Sequence, residues 1–173
     1  GVVVNLTPPR THLGNAVFLP QYFRQHGYRV LKVGKIYHTG DEFEDLASWD
    51  IDERETREAK KPPEAQIARR QGEGGIVLDV PDAETWDGHV ARRSVELLEA
   101  AIQGESPVFL AVGFRRPHTP YIAPRRYFEL YPPSKIPLLD EPAEHLRSIP
   151  PLALTHKPGE APLSDDVRRE TTA

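Results

Sequence analysis

The sequence has no cysteine and no methionine. Without cysteine, a disulfide framework, a zinc–thiolate site and a catalytic thiol are all excluded within these residues. Absent cysteine fits either redox compartment. Long apolar runs are also missing: nothing approaches the roughly 18 apolar residues of a membrane-spanning helix. There is no excess of positive charge. The 22 Lys+Arg stand against 26 Asp+Glu, and a net charge of −4 argues against general nucleic-acid binding. The chain opens GVVVNLTPPR, with no charged or apolar leader, and reads as an internal piece of something larger.

What is present fits one domain rich in loops. The 173 residues are 38% hydrophobic, enough for one core, and the 18 prolines are about twice average usage. Residues 1–17 form an ambiguous lead-in, where the valines at 2–4 could be a short strand and Gly14-Asn15 a turn. Residues 18–38 are the clearest unit. Pro20 suits the first turn of a helix, Tyr22, Phe23 and His26 share a face, and Gly27 stops it. Residues 28–34 then alternate toward a strand, closed by Gly34. Residues 39–85 are charge-dense with little periodicity and read as a long loop, with a helical turn around 64–70.

Residues 86–135 repeat the helix–strand step. Asp87 is expected to cap a helix over 87–103. Val90, Ser94, Leu97, Leu98, Ala101 and Ile102 form its inner stripe. Pro107 opens Val108-Phe109-Leu110-Ala111-Val112, an apolar run expected to be buried on both faces of a sheet. Pro124 starts a short helix with Tyr127, Phe128 and Leu130. Residues 136–173 are expected to be an extended proline-rich tail whose last ten residues fray, with Asp165-Asp166 a solvated pair.

Both central strands end in polar clusters. Gly34-Lys35-Ile36-Tyr37-His38 follows the first, and Gly113-Phe114-Arg115-Arg116-Pro117-His118-Thr119-Pro120 follows the second. If the strands are parallel neighbours, both clusters lie at the carboxyl edge, where open α/β sheets bind ligands. A Lys offers a point charge to an oxyanion, and a His moves protons near neutral pH. Two readings of each residue stand. Lys35 is a point charge for an anionic oxyanion, or a solvated turn lysine. His118 is a proton donor, or a loop residue bonded to backbone. Arg115 and Arg116 hold an anionic substrate group, or are solvated.

The blocks Leu19-Pro20-Gln21-Tyr22-Phe23, Val33-Gly34-Lys35-Ile36-Tyr37-His38 and Pro107 through Pro120 resemble sulfatases of the iduronate-2-sulfatase type. Tyr127-Phe128 and Leu130-Tyr131-Pro132 continue the likeness. It implies an α/β, alkaline-phosphatase-like fold with a mixed or parallel sheet flanked by helices. It implies hydrolysis of sulfate esters, on sulfated sugars such as glycosaminoglycans, by a formylglycine nucleophile with calcium. Lys35 would contact nucleophile and sulfate oxygens. His38 would hold the formylglycine hydrate, and His118 would touch the sulfate and assist the leaving alkoxide. The family suggests a secreted, periplasmic or lysosomal setting.

The sequence also departs from that pattern. It has no C/S-x-P-x-R motif; Ser148-Ile149-Pro150-Pro151-Leu152 lacks the arginine. The paired aspartates that open the family's metal site and the later metal ligands are missing too. The expectation is therefore a segment with three catalytic residues and no complete site, inactive in isolation. Two other classes remain open: a phosphoester hydrolase of the same superfamily, and a non-catalytic α/β module binding anionic glycans through Lys35, Arg115, Arg116 and His118.

Overall fold

The computed structural model describes residues 6–38, 40–54, 75–139, 142–150, 153 and 163–172. The strand expected at 2–4 and the helical turn expected at 64–70 lie outside them. Along the chain the elements are α1 (Pro9–Leu13), α2 (Leu19–Gln25), β1 (Arg29–Gly34), β2 (Ile51–Glu53), β3 (Ile76–Leu78), α3 (Trp86–Ala101), β4 (Val108–Gly113), β5 (Ile122–Pro124), α4 (Arg125–Leu130), α5 (Ala143–Ser148) and α6 (Asp165–Thr172). They fall into two compact units, residues 1–67 with 80–117 and residues 68–79 with 118–173. No helix among the described residues is long and apolar enough to cross a membrane.

In the first unit β2, β1 and β4 lie side by side in that order, all parallel. The pairing of β1 with β4 runs in register from Arg29↔Val108 to Gly34↔Gly113. The two strands are thus parallel neighbours, as the helix–strand order predicts. Parallel strands need a long connection, and α3 lies on it, packed against both β1 and β4. Helix α2 begins with the buried Pro20 in its first turn and stops at Gly27, whose φ of +83° suits glycine. Phe23 of α2 stacks on Phe109 of β4 at 4.6 Å, tying the helix to the sheet.

Burial differs from expectation in both strands. Strand β1 was expected to alternate, yet Val30, Leu31 and Lys32 are all 0% exposed, because β1 is the central strand with α2 and α3 packed on it. Strand β4 was expected to be buried on both faces, but Val108 to Val112 are half-buried. It has β1 as its one strand neighbour among the described residues.

Helix α3 is capped by Thr85, not Asp87: the Gly88 N–H donates to Thr85 Oγ1 at 3.1 Å. The reason is local. Thr85 has extended backbone (φ −78°, ψ 163°) and its hydroxyl also donates to the Asp82 carbonyl at 2.7 Å, which aims its oxygen at the helix end. The inner stripe is narrower than expected. Val90, Ser94 and Ala101 are buried, while Leu98 and Ile102 face outward.

The stretch 39–85 contains structure that periodicity missed. Single helical turns at Asp41–Phe43, Leu46–Ser48 and Asp82–Glu84 accompany strands β2 and β3. Strand β2 reads Ile-Asp-Glu, too charged and too short to show alternation. It is fixed instead by pairing Leu31↔Ile51, Lys32↔Asp52 and Val33↔Glu53.

In the second unit β3 and β5 pair in parallel over Ile76↔Ile122 to Leu78↔Pro124. Arg125, opening α4, pairs with Asp79 at 2.5 and 2.9 Å. The tail expected to be extended instead carries α5 and α6. In α6 the Val167 N–H donates to Ser164 Oγ at 3.4 Å, and acidic residues in the first turn with Arg169 in the last suit the helix dipole. Asp165 and Asp166 stay solvated while pairing with Arg168 and Arg169 along that helix.

Candidate active site

Two glycines build the carboxyl edge of the first unit. Gly34 has φ +77°, and a Cβ there would lie 2.3 Å from the Gly113 carbonyl oxygen. A Cβ on Gly113 would lie 1.8 Å from the Lys35 carbonyl oxygen. Only glycine permits such backbone approach. The Lys35 N–H donates to Gly113 O at 2.9 Å, so the pairing runs one residue past the strand end. Lys35 and Phe114-Arg115-Arg116 therefore leave the sheet side by side.

The first loop is held from behind. Lys35 Nζ donates to the Tyr37 carbonyl at 3.1 Å, curling the ammonium over its own loop. The His38 ring meets Phe43 edge-on at 4.9 Å. The Tyr37 ring lies near Phe18 and Trp49, and its hydroxyl bonds to Ser48. Burial pushes that hydroxyl above its ordinary range; the Ser48 bond opposes the rise, and Asp45 and Glu44 add to it. Ser48, fully buried, donates to Asp45, and Arg10 donates to both Asp45 carboxylate oxygens at 3.1 and 2.8 Å. Burial works to raise the Asp45 carboxyl, but the bonds from Arg10 and Ser48 hold it below the usual carboxylate range.

Beside this network lies Lys32, 0% exposed, with Nζ 2.5 Å from Glu44 Oε2 and 3.1 Å from Asp52 Oδ1. Arg54 Nε reaches the other Asp52 oxygen at 2.8 Å. A lysine this deep is tolerated because two carboxylates face it. Its position in the apolar run Val-Leu-Lys-Val hides this in the sequence.

The second loop is held by the helix. The N–H groups of Arg115 and Arg116 donate to Asp87 Oδ1 and Oδ2 at 2.8 and 3.0 Å. The Arg115 guanidinium lies 5.5 Å from the Trp86 ring centre. His118 belongs to the second unit, where its Nδ1–H donates to the Thr119 carbonyl at 2.7 Å. The backbone-bonded reading of His118 thus describes one of its nitrogens. That bond places the neutral ring's lone pair on Nε2.

So the structure brings Lys35, His38, Arg115 and Arg116 onto adjacent strand ends of one unit and describes His118 in the other. Sequence reading missed Asp87 as a loop anchor, because Thr85 and Asp87 are both cap-type residues and the sequence does not separate them. It also missed Arg10, Asp45 and Ser48, which carry no spacing signal.

No family model matches the chain. The iduronate 2-sulfatase of Homo sapiens is 32% identical over 155 residues, 83% of this chain. That of Mus musculus is 32% identical over 156 residues, again 83% of the chain. The chain belongs to the sulfatase family. A sulfatase of Formosa agariphila is 29% identical over 157 residues, 80% of the chain. This sulfatase-family chain spans 28% of the length of each iduronate 2-sulfatase and 29% of the Formosa agariphila protein. Sulfatases have the alkaline-phosphatase-like fold, and the parallel sheets flanked by helices agree with that class.

The resemblance implies calcium and a formylglycine nucleophile. Among the described residues no group of three or more His, Asp or Glu side chains could hold a metal ion. The sequence holds no cysteine to become formylglycine.

Proposed function

We propose that the chain serves in the hydrolysis of sulfate esters, on sulfated sugars, as part of a longer sulfatase. The observation that supports this is the in-register end of β1 and β4 at Gly34↔Gly113, from which the loop of Lys35 and the loop of Arg115 and Arg116 both leave. It stands in a chain 32% identical to iduronate 2-sulfatase. In this reading the formylglycine and calcium come from residues outside this chain.

Breaking the S–O bond of a sulfate ester gathers negative charge on the bridging oxygen. Cations and proton donors already aimed at the group stabilise that charge without reorganising. Lys35 supplies an ammonium to the sulfate oxygens, and His38, beside it, a ring N–H. Arg115 and Arg116 bind the anionic group in the ground state. His118 gives the proton to the leaving oxygen. Its Nδ1–H is held by the Thr119 carbonyl, which leaves Nε2 as the nitrogen that passes the proton.

The test is turnover by the full-length protein. Wild type should hydrolyse 4-nitrophenyl sulfate in preference to 4-nitrophenyl phosphate, and Lys35→Ala should lower kcat about 100- to 1000-fold. His118→Ala should lower kcat far more for a sugar sulfate, a poor leaving group, than for the aryl sulfate. Preference for the phosphate would overturn the sulfatase reading. Equal losses on both sulfates would leave His118 a binding role alone.

A further inference from the structure

We propose that Asp87 is a positioning residue for Arg115 and Arg116, acting through their main chain. The proposal deepens the reading above and rests on it, since it takes the two arginines as ligands of the sulfate group.

Asp87 sits in the first turn of α3, where an acidic side chain commonly satisfies the helix's own N–H groups. Here Thr85 already does so, accepting from Gly88. The Asp87 carboxylate is turned outward to another element. Its two oxygens accept from two consecutive amides of the β4 exit loop, at 2.8 Å from Arg115 and 3.0 Å from Arg116. One oxygen on each amide fixes two successive peptide planes and so the directions in which both side chains leave the loop. The preceding residue adds a third hold, the Trp86 ring beneath the Arg115 guanidinium at 5.5 Å. One turn of helix thus sets both backbone and side chain.

The chemistry gives the device a second effect. Two consecutive N–H groups aimed at one point make an anion-binding concavity. Asp87 fills it with a carboxylate of the protein's own. A sulfate is thereby excluded from the amides and directed to the guanidinium groups. Upstream, the Gly34–Gly113 contact fixes where β4 ends. The amides of Arg115 and Arg116 are therefore presented to Asp87 from a rigid base.

The experiment uses four full-length proteins: wild type, Asp87→Ala, Arg115→Ala with Arg116→Ala, and the triple variant. Each is titrated calorimetrically with inorganic sulfate and assayed with 4-nitrophenyl sulfate. Asp87→Ala should weaken sulfate binding and raise KM by about tenfold, with a smaller change in kcat. Because Asp87 acts through Arg115 and Arg116, the triple variant should be no more than about twofold worse than the weaker of the other two, whereas independent effects would multiply. Amide exchange at Arg115 and Arg116 should quicken in Asp87→Ala while Leu31 and Ala111, whose amides face the β1–β4 ladder, stay protected. Asp87→Asn keeps one acceptor oxygen, should fall between the two, and serves if the alanine variant does not fold.

Multiplying losses, or unchanged sulfate affinity in a folded Asp87 variant, would overturn the proposal and leave the sulfatase reading standing. A wild type that binds sulfate with this Asp87 dependence but turns over no sulfate ester would overturn the sulfatase reading alone. A wild type that does not bind sulfate would overturn both.

Discussion

At the scale of single residues, the loop after β1 depends on charges that are not its own. Asp45 is held in its ionised form by Arg10 and Ser48, so its folded-state pKa lies below the unfolded value. Asp50 and Glu53 are shifted the same way, each against a burial effect: Asp50 by Val30 N–H and Arg24, Glu53 by Arg93 foremost. The sign follows from proton uptake. Below the ordinary carboxylate range the unfolded chain binds more protons than the folded one, so stability rises with pH there and is fully present above about pH 4–5. Urea midpoints measured from pH 2 to 6 should therefore fall on acidification, and fall less steeply in Asp45→Asn. A wild-type profile flat over that range would show that these carboxylates titrate alike in both states. Lys32 gives a sharper case. Lys32→Met leaves Glu44 and Asp52 facing each other, with Arg54 as their remaining cation among the partners described. A loss of about 3 kcal/mol is expected in urea unfolding, largely recovered by adding Glu44→Gln, since the cost is the stranded charge.

At the scale of elements, the edge of the sheet rests on Gly34 and Gly113. Gly113→Ala puts a methyl group against the Lys35 carbonyl, a backbone atom that cannot swing aside. The strands must part, at about 3 kcal/mol or more. Both thermal stability and sulfate affinity should drop together, whereas Gly104→Ala, with its nearest contact at 3.4 Å, should leave both nearly unchanged. These glycines were legible in the sequence as strand ends, and so was the parallel pairing, because each strand follows a helix that a glycine stops. Strand β2 was not legible: Ile51-Asp52-Glu53 is held by its neighbour, not by its own pattern. The cap of α3 was not legible either. Thr85 and Asp87 compete on equal terms in sequence, and the outcome turns on the loop after β4, which calls Asp87 away.

At the scale of the whole chain, no cysteine, no C/S-x-P-x-R motif and no metal-holding group among the described residues accompany the candidate site. The isolated 173-residue chain should therefore turn over no aryl or sugar sulfate above a Lys35→Ala control, since loss of a nucleophile alone can cost on the order of 10⁶ in rate. Measurable turnover by the purified chain would contradict this. Lys35, His38, Arg115 and Arg116 were legible as a group because each follows a strand-ending glycine within a few residues. The residues that hold them were not, because Arg10, Asp45, Ser48 and Asp87 act across distances that only the folded chain closes.

The register of β1 with β4 also bears on the order in which the chain folds. Arg29 pairs with Val108, so the central strand waits for a partner 79 positions later (108 − 29). Pairing with β2 spans far fewer residues: Leu31 meets Ile51. On a growing chain β2 is thus available long before β4. Until β4 emerges, one edge of the most buried strand lacks its partner, a template for pairing with other chains. Lys32 stands in the middle of that edge. A charge within Val30–Val33 makes the strand a poor partner for strangers. The ion pair that complicates the finished core thus guards the chain while it is being made.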